Sequence, residues 1–230
     1  MTPLSKQTPE RVRLIGSGSY VERNGKRLLL SCEHVSAKGP LDHRYHGSDD
    51  VFPVRGDWTA TAHPVDVAFA EIGDAAWHAT QHSAAMIPYA RFAAKHGVCQ
   101  RAELLFFRGF ADENARYGFG VHEANASGYC SQEKEGSGDA EQFEIFWEPE
   151  KTQVTQSTSA AARASIKYDD PHGFSGSLVW NTRFLETWAA GQEWSPEDAV
   201  ITGIARRWDD KTKTLLVYRV EHLRRWLDQH

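Results

Sequence analysis

The sequence predicts an all-β chain of the barrel or sandwich class that ends in one helix. Its apolar runs are short, rich in β-branched and aromatic residues, and separated by glycine, asparagine, aspartate or charged residues. This is the pattern of short antiparallel strands. Helical periodicity is confined to a few places, the clearest at the C-terminus. About ten strand-like runs with one terminal helix favour a barrel or a sandwich.

The predicted strands follow one another along most of the chain. The sequence YVERNGKRLLLS predicts a hairpin, because Asn24-Gly25 between strand-like segments favours a tight turn. A second hairpin is predicted to turn through Asp209–Lys213, and the alternating segment FEIFWE predicts one apolar face. The full set is Val12–Ile15, Ser19–Glu22, Arg27–Ser31, Val67–Ile72, Ala102–Arg108, Phe143–Trp147, Ser165–Tyr168, Ser177–Trp180, Val200–Ala205 and Thr214–Arg219.

Helices are predicted in three segments. Residues Ala84–His96 are predicted to form a short helix that stops at Gly97, since glycine commonly follows a helix end. Phe184–Ala190 predicts another within a long connection. The terminal sequence VEHLRRWLDQH predicts an amphipathic helix with one apolar face, formed by Val220, Leu223, Trp226 and Leu227.

Composition excludes several classes of function. The chain has 230 residues, 40% of them hydrophobic and 25% charged, which is enough to bury a sizeable core. A formal net charge of −5 argues against nucleic acid as a partner, because such surfaces are normally basic. No apolar run reaches the length of a signal peptide or a membrane span. We therefore expect neither a nucleic-acid nor a membrane partner.

Cysteine usage predicts a reducing compartment. Cys32, Cys99 and Cys130 are scattered, and no CxxC pair occurs. This pattern indicates neither a disulfide framework nor a zinc finger. His78 and His82 have a spacing that can place two metal ligands on one helical face, but the sequence offers no third ligand. We expect a cytoplasmic protein without metal.

Candidate chemistry centres on Ser175, which lies between small residues in the sequence GFSGS. A serine hydroxyl is a weak nucleophile unless a neighbouring base removes its proton. His34 ends the sequence SCEH, and Asp66 begins the strand-like sequence DVAFAEI. The order His34, Asp66, Ser175 is one of the three chain orders in which this catalytic trio occurs.

Two other interpretations of Ser175 involve no catalysis. Taken alone, a serine beside glycine is most simply a turn residue. Even with His34 and Asp66, a chain that retains all three residues can act as a binding protein. The ordered set nevertheless favours a nucleophile, because the three residues have complementary roles.

Further motifs lie in the order found in one known family. They are GSGSY before a hairpin, SCEHV, VDVAFAEI, LFFRGF, GFSGSLVW, VITGIA and a terminal VEHLRRWL, and together they span residues 12 to 228. On these motifs the chain resembles the trypsin-like serine peptidases of the chymotrypsin fold, in their divergent bacterial form.

The resemblance implies a fold and a location for the site. It implies two antiparallel six-stranded β-barrels followed by a C-terminal helix, with the active site in the cleft between the barrels. Residues 1–97 would form the first barrel with a linker and residues 98–230 the second, together making one peptidase domain. His34 would be the base, Asp66 its orienting acid and Ser175 the nucleophile, and no cofactor is implied.

The resemblance also implies an oxyanion hole formed by the backbone N–H groups of Gly173 and Ser175. The chain departs from the family pattern at three positions close in sequence to His34 or Ser175. Phe174 stands where the family usually has an acid, Ser177 replaces a glycine, and Val35 replaces a cysteine. Activation by a newly cut N-terminus that pairs with that acid is therefore not expected.

Three residues are candidates for substrate contact. Asp169 lies six residues before Ser175, where relatives of the trypsin type carry the acid that selects Lys or Arg. Its alternative role is to shape the turn into Pro171. Arg206 would wall the same pocket and could neutralise Asp169 or select an acidic side chain. His172 would lie at the pocket mouth and could contact substrate, although the sequence slightly favours an exposed loop histidine without a role.

We therefore expect a regulated serine endopeptidase with narrow protein or peptide substrates and an activating or regulatory protein partner. The alternative is a catalytically inactive interaction module on the same fold.

Overall fold

The computed structural model describes residues 1–7, 12–100, 102–118, 121–154, 159–161, 167 and 169–230. The chain folds into two β-sheets that follow one another in sequence. The first sheet has the order β5-β4-β1-β2-β3-β7-β6, with β8 pairing in parallel with β2. Its strands are β1 (Thr2–Gln7), β2 (Val12–Arg23), β3 (Lys26–Ser31), β4 (Asp42–His43), β5 (Phe52–Pro53), β6 (Thr59–Thr61), β7 (Val67–Glu71) and β8 (Ile87–Pro88).

The second sheet is antiparallel and has the order β10-β9-β12-β13-β14-β11. Its strands are β9 (Leu105–Gly118), β10 (Val121–Ser131), β11 (Gln142–Phe146), β12 (Leu178–Asn181), β13 (Val200–Asp209) and β14 (Thr214–Arg219). The helices are α1 (Glu33–Ser36), α2 (Asp74–Trp77), α3 (Phe184–Ala189) and α4 (Val220–Gln229). In the described ranges, none of the helices has the length and apolar character needed to cross a membrane.

The two-sheet architecture confirms the predicted all-β class. Among the described residues, strand pairing does not close either sheet into a complete barrel. In the second sheet, the chain after β10 nonetheless reaches β11. Lys134 donates its N–H to the Glu144 carbonyl at 2.8 Å, and Phe146 donates to the Gln132 carbonyl at 3.1 Å.

The predicted hairpin at Asn24-Gly25 is present between β2 and β3. Both residues have positive φ angles, 51° and 75°, as the tight turns that suit twisted hairpins require. The predicted strands Val12–Ile15 and Ser19–Glu22 are parts of the single strand β2. The predicted strand Ser165–Tyr168 lies outside the described residues except at Lys167.

The helix predicted over residues 84–96 is wrong. This segment instead forms β8 and a short 3-10 turn at Tyr89–Arg91. Pro88 explains the difference, because proline lacks an N–H donor and disfavours helical geometry in the residue before it. Beyond the turn, Ala93 donates to the carbonyl of Ile201 in β13 at 2.9 Å. The proposed division between residues 97 and 98 falls in this connection and stays a prediction.

The terminal helix α4 packs on a buried cluster to which both sheets contribute, including Ile201 and Ile204 of β13. Leu223, Trp226 and Leu227 belong to the buried cluster that includes Phe69 of β7. The Trp226 indole donates to the Thr61 hydroxyl of β6 at 2.7 Å. The helix therefore fastens the two halves of the chain together.

We expect truncation of this helix's apolar face to destabilise the whole chain. Leu227 is fully buried, so Leu227→Ala should lower the free energy of unfolding by about 2–5 kcal/mol. Arg225→Ala on the exposed face should change it by less than about 0.5 kcal/mol. Urea denaturation of the two variants measures both values, and equal effects would contradict this packing.

Candidate active site

His34 and Asp66 form a directly bonded pair in the first half of the chain. The His34 Nδ1 atom lies 2.9 Å from both carboxylate oxygens of Asp66. The backbone N–H of His34 donates to Asp66 Oδ1 at 3.0 Å. Because the carboxylate binds both the ring and the backbone of the same residue, it fixes the imidazole orientation and the tautomer with hydrogen on Nδ1.

Local chain geometry brings these two side chains together. His34 lies in α1, which begins two residues after β3 ends, and Asp66 immediately precedes β7. Strands β3 and β7 are hydrogen-bonded neighbours, so residues just beyond their paired ends meet at one edge. Asp66 has a left-handed φ of 53°, a conformation that aspartate tolerates better than most residues. Its side chain is 2% exposed, whereas that of His34 is 35% exposed.

Ser175 lies in the loop that leads into β12, between two glycines with positive φ. Gly173 and Gly176 have φ angles of 101° and 91°. A Cβ atom on Gly176 would lie 2.0 Å from the Ser17 carbonyl oxygen, and one on Gly173 would lie 2.4 Å from the Phe110 oxygen. Only glycine fits either position, which explains why two residues without side chains lie on either side of Ser175 in the sequence.

The backbone of this loop is held by both sheets. Ser17 of β2 donates its N–H to the Ser175 carbonyl at 2.8 Å, and Gly176 donates to the Ala205 carbonyl of β13 at 2.8 Å. Ser175 is thereby placed at the junction of the two sheets.

The Ser175 hydroxyl donates to the backbone carbonyl of Arg206 at 2.6 Å. Within the described residues, the structure gives no hydrogen bond between this hydroxyl and His34. Ser175 is instead connected to the pair through Arg206, whose guanidinium Nε lies 3.5 Å from Asp66 Oδ2. Ser175 and Asp66 therefore both contact Arg206 of β13, Ser175 through the backbone carbonyl and Asp66 through the side chain.

Arg206 places a buried positive charge behind the His34–Asp66 pair. Its side chain is 5% exposed, and its guanidinium lies 5.4 Å from the centre of the Tyr218 ring. Burial alone raises the pKa of Asp66. Hydrogen bonds from His34 and the charges of His34 and Arg206 outweigh this effect, so the pKa of Asp66 is lowered from 3.8. Asp66 is thus held as a carboxylate.

The other predicted substrate residues lie on the loop before Ser175. Asp169 is exposed, and His172 is exposed and forms a contact between its Nδ1 and the Asp170 carboxylate. The His172 ring lies edge-on to Trp208 of β13 at 5.9 Å. Arg206, by contrast, directs its side chain to Asp66. Substrate contacts by these residues stay predictions.

A cysteine adjoins the pair. Ligand atoms of Cys32, His34 and Asp66 lie within 4.8 Å of one another. Burial raises the pKa of the Cys32 thiol, which donates to the Ala205 carbonyl at 3.3 Å. A neutral thiol and the nearby Arg206 guanidinium both disfavour a bound cation.

Sequence reasoning missed two contributions to this site. It gave GSGSY only as a motif before a hairpin, whereas the first serine of this motif, Ser17, contacts the loop that carries Ser175. It placed Arg206 in a substrate pocket and did not foresee the contact with Asp66. A serine between glycines in a strand was the available signal for close backbone approach. No local pattern indicates the Arg206 contact, since it joins distant parts of the chain.

The lowered pKa of Asp66 predicts a pH-dependent stabilisation. A carboxyl whose pKa is lower in the folded than in the unfolded state stabilises above the unfolded value and loses the effect as pH falls through the folded value. Compared with the wild type, Asp66→Asn should cost about 3 kcal/mol of unfolding free energy near pH 6. This difference should shrink as the pH falls below 3.8. Urea denaturation across this range measures the difference, and a constant difference would contradict the assignment.

Comparison with known proteins identifies the fold. No protein-family model and no curated protein sequence matches the chain. Among solved structures, it is similar to neuropsin, a serine protease of mouse brain, with a TM-score of 0.53 and 13% identity. That match covers 99% of this chain and 92% of neuropsin.

Two further structures show the same likeness. The serine protease domain of the Sesbania mosaic virus polyprotein matches with a TM-score of 0.52 and 10% identity, covering 98% of this chain and 91% of its own. A mutant of human heparin binding protein matches with a TM-score of 0.54 and 9% identity, covering 100% and 89%. The chain therefore has the chymotrypsin-like fold, although its two sheets are not closed into complete barrels.

Proposed function

We propose that this protein is a serine endopeptidase that hydrolyses peptide bonds through an acyl-enzyme. The observation that carries the proposal is the three-contact alignment of His34 by the buried Asp66 carboxylate. Such a pair is the orienting half of a catalytic triad. Its location beside Ser175, on a fold used by serine proteases, supports the assignment of the nucleophile.

In the proposed reaction, the Ser175 hydroxyl first rotates from the Arg206 carbonyl to the Nε2 atom of His34. His34 takes the hydroxyl proton as Oγ bonds to the substrate carbonyl carbon. The protonated His34 then donates that proton to the leaving amine as the C–N bond breaks. Water then attacks the acyl carbon while His34 takes its proton, and as the ester bond between that carbon and Ser175 Oγ breaks, His34 returns the proton to Oγ. Asp66 remains a carboxylate throughout and stabilises the imidazolium.

Backbone N–H groups of Gly173 and Ser175 are proposed to bind the oxyanion. The His172 carbonyl accepts a hydrogen bond from the Asp112 N–H at 2.8 Å. Because N–H and C=O point in opposite directions across a planar trans peptide, the Gly173 N–H is directed away from Asp112. The Phe174 carbonyl similarly accepts from Ser177 at 2.9 Å, which directs the Ser175 N–H the opposite way.

Within the described chain, neither of these two N–H groups has a protein acceptor. Pre-oriented N–H donors are what an oxyanion hole requires, and losing one typically costs about 10²- to 10³-fold in kcat.

For the substrate side chain before the cut, we propose a cationic preference. Asp169 and Asp170 raise the pKa of Glu113, behind a larger effect of burial, so negative charge is concentrated on this side of the loop. The Arg206 guanidinium is engaged with Asp66 and does not neutralise Asp169 directly. His172 would lie at the entrance with Trp208.

We further propose that the enzyme is cytoplasmic and acts on few protein substrates, under control of a protein partner. Cys32, Cys99 and Cys130 are all free thiols, which favours a reducing compartment. An intracellular protease needs restricted activity, and the Ser175 hydroxyl bonded to Arg206 supplies a resting arrangement that substrate or a partner would release.

The same hydrogen bond favours a second candidate, a catalytically inactive interaction module. A serine that donates permanently to the Arg206 carbonyl would not attack a substrate. One protein with a similar structure is named for heparin binding and not for proteolysis. The reactivity of Ser175 separates the two candidates.

Labelling by a fluorophosphonate probe tests the nucleophile. We expect labelling of the wild type, and at least about 10³-fold slower labelling of Ser175→Ala and His34→Ala, since both remove a member of the triad. Asp66→Asn should reduce kcat for a cleaved peptide by about 10⁴-fold.

Ser177→Ala is the matched control, because Ser177 is a buried serine two residues from the nucleophile. This variant should label like the wild type. A folded wild type that does not label, beside a reference serine protease that does, would contradict the peptidase and favour the interaction module.

Charge removal at Asp169 tests the cationic preference. Asp169→Asn should lower kcat/KM for substrates with Lys or Arg before the cut by up to about fivefold, because an exposed ion pair contributes at most about 1 kcal/mol. Neutral substrates should be unaffected. Asp57→Asn, at an exposed position in the connection between β5 and β6, is the control. An equal loss for neutral and basic substrates would exclude a selective contact.

A further inference from the structure

Ser17 of β2 uses all of its polar groups at the junction of the two sheets. Its N–H donates to the Ser175 carbonyl at 2.8 Å, and its hydroxyl donates to the Gly173 carbonyl at 2.8 Å. The same hydroxyl accepts the Phe110 N–H of β9 at 2.9 Å. The Ser17 carbonyl accepts the Ser31 hydroxyl at 2.8 Å. Ser17 is 1% exposed, so water does not compete for these bonds.

These contacts belong to a series of four consecutive backbone carbonyls, in the loop that carries Ser175, that all accept hydrogen bonds. The carbonyls of residues 172, 173, 174 and 175 each accept a hydrogen bond, from Asp112, Ser17, Ser177 and Ser17 respectively. Ser17 supplies two of these four donors. Since a held carbonyl fixes the N–H on the other side of its peptide plane, this series determines the direction of every N–H from Gly173 to Gly176.

Of the four carbonyls, that of Gly173 accepts its hydrogen bond from a side chain. The other three carbonyls accept from backbone N–H groups, whereas this one accepts from the Ser17 hydroxyl. Gly173 has no side chain to resist rotation of its neighbouring peptides. Without the hydroxyl, both the Gly173 carbonyl and the buried Phe110 N–H would lose a partner, which drives the local backbone to rearrange.

We propose that Ser17 is a positioning residue that holds the Gly173–Ser175 backbone in the conformation that binds the oxyanion. The inference rests on the proposed peptidase function. The first sheet would then contribute Ser17 to catalysis as well as His34 and Asp66. Through Ser17, its strand β2 would position the N–H groups of the second-sheet loop that bind the transition state.

The test compares Ser17→Ala with Ser19→Ala. Ser19 is a buried serine of the same strand, and its hydroxyl makes no hydrogen bond to residues 173–176. We expect Ser17→Ala to reduce the rate of fluorophosphonate labelling and kcat by about 10- to 10²-fold, with KM changed less than about threefold. Ser19→Ala should leave both rates near those of the wild type.

A transition-state analogue distinguishes positioning from general loosening. A peptide boronate forms a tetrahedral adduct with Ser175 and occupies the oxyanion site. Its affinity should fall by the same factor as kcat/KM in Ser17→Ala, while the affinity of a non-covalent product peptide stays the same. Ser17→Thr retains the hydroxyl and should restore boronate affinity.

Folding of the variants is controlled by thermal unfolding and by a near-isosteric change. Ser17→Cys keeps the volume while offering only a weak donor and acceptor, and we expect the same direction of effect as for alanine.

The role of Ser17 would be overturned if Ser17→Ala and Ser17→Cys both kept the labelling rate and the boronate affinity of the wild type. Ser175→Ala, which should not label, shows that the probe reports on Ser175. Absence of labelling in the wild type would overturn the peptidase function itself, so the two failures are distinguishable.

Discussion

The site depends on close contact between strand β2 of the first sheet and the loop before β12 of the second. The two backbones approach so closely that the Ser17 carbonyl occupies the space where a side chain of Gly176 would begin. Through this contact the loop that carries Ser175, which leads into the second sheet, is positioned relative to His34 and Asp66 of the first. Gly176 is therefore required by the neighbouring strand as well as by the turn itself.

A second constraint is the burial of two opposite charges, those of Asp66 and Arg206. Asp66 and Arg206 are both nearly inaccessible to water, and isolating either charge there would be costly. Their proximity and the hydrogen bonds from His34 offset part of that cost. The Nε of Arg206 has no hydrogen-bond acceptor within the described residues, so its contact with Asp66 is electrostatic. A carboxylate held in this way orients His34 without taking its proton.

Local patterns in the sequence predicted those parts of the fold whose cause is local. Thr214–Arg219 is a short apolar run that follows a turn, and α4 has one apolar face, so both were predictable from neighbouring residues. Strand β10 (Val121–Ser131) was missed because its sequence, VHEANASGYCS, is mainly small and polar. It forms through its pairing with β9 along most of its length, and such support across the chain is not visible in one segment.

The same distinction applies to the site. His34, Asp66 and Ser175 could be proposed from their flanking sequences and order, since each lies in a recognisable motif. The contribution of Ser17 could not, because its partners Phe110, Gly173 and Ser175 are distant in sequence. A prediction from motifs finds the reacting groups, but the groups that position them are identified only by distances.

The position of the Ser175 hydroxyl relates this geometry to control of activity. The hydroxyl donates to the Arg206 carbonyl, which belongs to a strand bordering the cleft. An extended peptide that donated one of its own N–H groups to that carbonyl would compete with Ser175 for the acceptor. In the proposed reaction, the displaced hydroxyl would then turn to His34. An extended substrate would therefore increase the population of the reactive Ser175 rotamer, which the free chain need visit only part of the time in order to react with a small probe.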